Sequence, residues 1–234
     1  MCNENERAER KKLAIKYFMF AIIAFAGIYA VQIFHLFELL FQPVYRGNIS
    51  TVVYCAITVA VWIPFIILLR KLVLKHTGYK LFNRENPPIP FKRACIIYAC
   101  VFVPIFIISA CLGFELKIVY ELGKRVTQLQ IIKNASLYAQ GCVELILALV
   151  CLELVQEGME LLYRGKHANI IPWGGIALAL TYGFAEVLVA YLSGANVLFA
   201  WLNIAFFLLY GVIYLLSKKS FSITLFAAIM IYLL

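Results

Sequence analysis

The stretch C-L-E-L-V-Q-E-G-M-E-L-L-Y-R-G-K-H-A-N, Cys151 to Asn169, places three glutamates and an arginine inside or at the end of an apolar segment. At 100° per residue, Glu153, Glu157, Glu160 and Arg164 fall within about a 60° arc of one helix, with His167 one turn beyond. Glu160 and Arg164 form an i, i+4 pair with the acid N-terminal, the favourable order. An ionised group at the centre of a membrane helix costs about 2.5–3.5 kcal/mol, so a charged stripe must face a bundle interior, a wet cavity or the interface. Two readings follow. The stripe lines a functional polar cavity, or Glu157 and Glu160 simply pair with Arg164 and reach the cytoplasmic interface, where cations also suit a helix C-terminus.

Glu186, in T-Y-G-F-A-E-V-L, lies within a second apolar segment, with no basic residue near it in sequence. It needs a partner from another helix. Arg164 is a candidate, Glu160 could share its pocket, and Asn203 could hydrogen-bond to the same network. The expected polar cavity is therefore Glu153, Glu157, Glu186 and Asn203 beside Glu160 and Arg164. Glu144, His35 and Glu38 are expected nearer the outer side. One His–Glu pair at i, i+3 is thin support for a metal, and none is expected.

The elements that must position these residues are membrane helices. The chain has 234 residues, 64% of them hydrophobic, a mean hydropathy of +0.90, 14% charged residues and no aspartate. This composition implies an all-α polytopic bundle and excludes an ordinary soluble domain. Hydropathy outlines about seven spans: 13–41, 51–69, 94–116, 136–162, 172–192, 197–216 and 221–234. Lys117–Lys133 reads as a short interfacial helix or an extension of a neighbouring span. Pro104 could kink the third span. The short links S-G-A-N and S-K-K-S imply antiparallel hairpins.

The net charge of +9 comes from cations that flank the spans. They read as topology signals and anionic-lipid contacts, and no stacking aromatics interleave them as in a nucleic-acid binder. With the N-terminus cytoplasmic, 16 of the 21 Lys and Arg residues fall inside and five outside. The seven cysteines form no C-x-x-C and read as packing residues; Cys2 is a possible lipidation site. Segment 13–41 is too long for the core of a cleaved signal peptide.

The order of motifs resembles the CPBP family, the CAAX-protease and bacteriocin-processing intramembrane proteins, over roughly 79–234, with 1–78 as an N-terminal helical hairpin. M-E-L-L-Y-R-G, Met159 to Gly165, lies over the family's E-E-x-x-x-R motif. Y-G-F-A-E, Tyr182 to Glu186, lies over its aromatic-x-x-x-His motif. G-V-I-Y-L-L-S-K-K-S-F, Gly211 to Phe221, resembles the hairpin before its final H-x-x-x-N. The resemblance implies a glutamate intramembrane protease in which Glu160 and Arg164 are retained. Met159 replaces the first glutamate, Glu186 and Ala228 the two histidines, and Tyr232 the asparagine. Peptide hydrolysis needs a base and groups that stabilise negative charge, and neither Met159 nor Ala228 can act as either. The expectation is a degenerate member that binds a membrane-protein or cell-envelope partner, without cofactor, in a bacterial cell membrane. An active protease using Glu160 with Glu157, Glu186 or Asn203 is the first alternative, and a transporter or lipid-binding protein the second.

Overall fold

A computed structural model describes the backbone of residues 4–40, 48–82, 89–111, 119, 127–163, 169–193 and 197–233, and the side chains of these except 31–40, 48, 111, 189, 193 and 197–199. Among the described residues the chain is helical and without strands, an all-α membrane bundle. Its helices are α1 (Glu4–Leu40), α2 (Asn48–Thr77), α3 (Phe91–Cys111), α4 (Gln128–Leu162), α5 (Trp173–Leu178), α6 (Phe184–Ser193), α7 (Val197–Leu216) and α8 (Phe221–Leu233). A π-helical turn, Ala179–Gly183, joins α5 to α6, so the two run as one span.

Among the described residues, five elements are long and apolar enough to cross a membrane: α1, α2, α3, α4 and the α5–α6 unit. The last two of the seven expected spans appear as shorter apolar helices alongside them. The 13 residues of α8 reach about 20 Å at 1.5 Å per residue, less than a hydrocarbon core of about 30 Å.

Three helices run past the limits that hydropathy sets. The α1 helix begins at Glu4 rather than Leu13, because E-N-E-R-A-E-R-K-K contains good helix formers with acids in the first turn. The α2 helix continues beyond Leu69 to Thr77 and stops at Gly78, whose φ of 73° suits glycine and whose N–H donates to the Leu74 carbonyl at 2.9 Å. The α4 helix starts at Gln128, not Ser136, on a capping box. Thr127 accepts from the Gln130 N–H, and the Gln130 side chain accepts from the Thr127 N–H at 2.9 Å. Lys133 is thus part of α4, while 117, 118 and 120–126 lie outside the described residues.

The α4 helix is central. All eight residues from Leu147 to Leu154 are buried, so here it is enclosed on every side, and α1, α2, α5 and α8 pack against it. Glycines let α5 approach closely. A Cβ on Gly174 would lie 2.1 Å from the Leu152 carbonyl oxygen of α4, and one on Gly175 would lie 2.9 Å from Gly211 Cα of α7. This is the small-residue packing that membrane helices use in place of a hydrophobic driving force.

Candidate functional site

The C-terminal half of α4 carries Glu153, Glu157 and Glu160 on one face, and that face looks into the bundle. Glu153 is 1% exposed. Tyr79, placed just beyond the Gly78 turn, donates its hydroxyl to Glu153 Oε1 at 2.7 Å, and the Tyr17 ring packs edge-on against Tyr79 at 5.6 Å. Burial, and then the Glu153 carboxylate, push the Tyr79 hydroxyl far above the ordinary tyrosine value of 10.0. The folded chain keeps this proton where the unfolded chain releases it. The associated stability is therefore complete below pH 10 and is lost as pH rises above it. Tyr79→Phe leaves Glu153 one donor short. Thermal unfolding in detergent should show a loss of about 1–3 kcal/mol at neutral pH and a flatter decline in alkali.

One turn further along α4, both Glu157 and Glu160 pair with Lys219. The Lys219 Nζ lies 2.9 Å from Glu157 Oε1, and it also donates to Glu160 Oε2. Lys219 belongs to the turn between α7 and α8, where Lys218 and Lys219 take φ values of 56° and 64°. Two successive non-glycine residues in the left-handed region are strained. Their turn is held by the Lys219 N–H donating to the Tyr214 carbonyl at 2.7 Å, and by the buried Ser217 hydroxyl donating to the same carbonyl at 2.9 Å.

Gln156, 1% exposed, ties this network to the segment that opens α5. Its amide nitrogen donates to Glu160 Oε1 at 2.9 Å and to the Ile171 carbonyl at 3.1 Å, and its oxygen accepts from the Gly174 N–H at 3.1 Å. Glu160 thus accepts from Lys219 on one oxygen and from Gln156 on the other.

Glu186 and Asn203 form a separate group. The Asn203 amide donates to Glu186, and Tyr182, in the π-helical turn, donates to Glu144. Glu186 lies within electrostatic reach of Glu144, Tyr29 and Tyr210. Glu144 precedes Glu160 on α4 by 16 residues, about 24 Å of helix. Glu186 therefore sits with Glu144 and not with Glu160, and the expected cavity divides in two. Ala228 is fully buried. Tyr232 packs on Tyr138 at 5.8 Å and lies over Gly141, 19 residues or about 28 Å along α4 from Glu160. Among the described residues, Glu160, Glu186 and Tyr232, which lie over three separate protease motifs, do not meet at one centre.

No family model, no curated protein and no solved structure matches the chain.

Several members of both groups escape a reading by helical spacing. Lys219 is 59 residues from Glu160, and Tyr79 is 74 from Glu153. Gln156 shares the α4 stripe but carries no charge to draw notice. Glu144 is an intramembrane acid on the same helix, and that alone marks it as a candidate partner for Glu186. Arg164 and His167 lie outside the described residues, as do the side chains of His35 and Glu38.

Proposed function

We propose that the chain is a non-catalytic multi-pass membrane protein on a CPBP-like helical scaffold. Its N-terminus is cytoplasmic, in a bacterial cell membrane, and its polar end docks a membrane-embedded or cell-envelope protein. The observation that carries this reading is the state of Glu160. Both its oxygens are engaged, by Lys219 and by Gln156, and Glu186 and Asn203, the candidate oxyanion donors, group with Glu144, 16 residues back along α4. A general base must reach the proton that it removes, and an oxyanion donor must reach the developing charge. Lys219, Glu157 and Glu160 remain 14–17% exposed, enough to meet a partner at the end of the bundle.

The test is affinity capture from native membranes in mild detergent, with wild type compared to Glu160→Gln and any captured protein sequenced for cut ends. An intact partner held in stoichiometric amount by wild type is the expected result. A partner clipped by wild type and left whole by Glu160→Gln would show a working protease instead.

A different observation favours a second reading, a transporter or lipid-binding protein. Glu144 and Glu186 lie well inside apolar spans, and intramembrane acids commonly mark ion pathways. Cation- or proton-driven uptake into proteoliposomes, abolished by Glu186→Gln, would establish it.

A further inference from the structure

The end of the bundle that carries Lys219 also gathers the cations of α1 and α2. Lys16 donates to the His76 carbonyl at 2.9 Å, and Tyr17 packs on Tyr79, so the start of α1 lies beside the end of α2. Lys11 and Lys12 follow about one turn outward on α1. Lys71, Lys75 and Lys80 cover the neighbouring end of α2, and all five are exposed.

Exposed apolar side chains adjoin them. Ile15, one turn from Lys11, is 64% exposed, and Leu68 and Leu74, three residues either side of Lys71, are 54% and 44% exposed. In a membrane bundle these apolar groups face acyl chains. The lysines beside them then stand at headgroup depth, with stems long enough to lie along the apolar surface.

The acids at this end do not cancel the charge. Glu4, Glu6 and Glu9 lie farther out on α1, where Glu6 pairs with Arg10 at 3.8 Å. Glu153, Glu157 and Glu160 point inward onto Tyr79 and Lys219. Between Arg10 and Phe82 the sequence holds one acid, Glu38, at the far end of α1.

We propose that Lys11, Lys12, Lys71, Lys75 and Lys80 form a binding belt for anionic phospholipid headgroups. A zwitterionic lipid offers a phosphate but carries its own ammonium beside it, whereas phosphatidylglycerol brings net negative charge to each lysine. The belt is independent of the proposed protein partner, since lipid selection needs only the chain and a bilayer.

The experiment uses the full chain in bilayers of phosphatidylcholine doped with spin-labelled phosphatidylglycerol or phosphatidylcholine. The motionally restricted fraction measures each lipid's affinity for the protein surface. Wild type should favour phosphatidylglycerol about threefold at low salt, and the preference should fall towards unity at 1 M salt, where the screening length is about 3 Å. The five-fold Lys→Gln variant should restrict both lipids equally at low salt, with unchanged helicity as its folding control. A wild-type ratio near one would overturn the belt and leave these cations to an acidic protein partner. A ratio unchanged in the variant would overturn their assignment.

Discussion

Gly174→Ala is expected to stop the bundle from closing, although alanine ordinarily stabilises a helix over glycine by about 0.5–1 kcal/mol. The added Cβ would lie 2.1 Å from the Leu152 carbonyl oxygen and 2.8 Å from its carbon. Those are backbone atoms in the stretch of α4 that is enclosed on all sides, so they cannot turn aside. The α5 helix would have to withdraw from α4. That movement would stretch the Gly174 N–H bond to Gln156, which stands at 3.1 Å, and push α5 into Gly211 of α7 on its other side. Overpacking of this kind costs about 3 kcal/mol. Gly27→Ala is the matched control. The three atoms nearest its Cβ would all belong to the Phe65 ring, from 2.2 Å, and a side chain can change rotamer where backbone cannot. Thermal unfolding in dodecyl maltoside should rank wild type above Gly27→Ala and Gly27→Ala well above Gly174→Ala. A Gly174→Ala protein that unfolds with wild type would mean that α5 does not touch α4 there.

That contact illustrates what a sequence exposes and what it hides. The apolar runs and their basic flanks reveal the helices, because a bilayer admits few alternatives to them. Helix ends are harder. Hydropathy falls where charges begin, at Arg70, yet backbone hydrogen bonding continues until Gly78 supplies a left-handed residue. Spacing also assigns Glu153, Glu157 and Glu160 to one face of α4. It does not say which neighbour fills that face. Arg164, the nearest cation in sequence, lies outside the described residues; among those described, Lys219 reaches both Glu157 and Glu160, from a turn near the other end of the chain's second half. Glu186 shows the same limit. Its depth within a span is legible, but its neighbours, Asn203 and Glu144, depend on how three helices pack. Periodicity resolves a direction around one axis, and a site requires the relative placement of several.

Removing Lys219 should show whether that turn is a clamp. Lys219→Met leaves Glu157 and Glu160, one turn apart and 17% and 14% exposed, without the cation they share. Deleting one partner of a largely buried ion pair costs about 3 kcal/mol, since the remaining charge stays desolvated. In the Lys219→Met background, Glu157→Gln with Glu160→Gln removes the uncompensated charge and should recover most of that loss, a coupling that independent sites would not show. The backbone contribution can be separated in the same assay. At a φ of 64°, Lys219→Ala loses the ion pair but keeps a side chain in the left-handed region, whereas Lys219→Gly loses the pair and relieves the backbone. Glycine should therefore be the more stable of the two by about 1 kcal/mol, the reverse of their order in a helix. If alanine and glycine unfold together, the lysine pays no conformational cost in this turn. If the double glutamine variant restores nothing, the ion pairs do not hold the turn, and its backbone and Ser217 hydrogen bonds do.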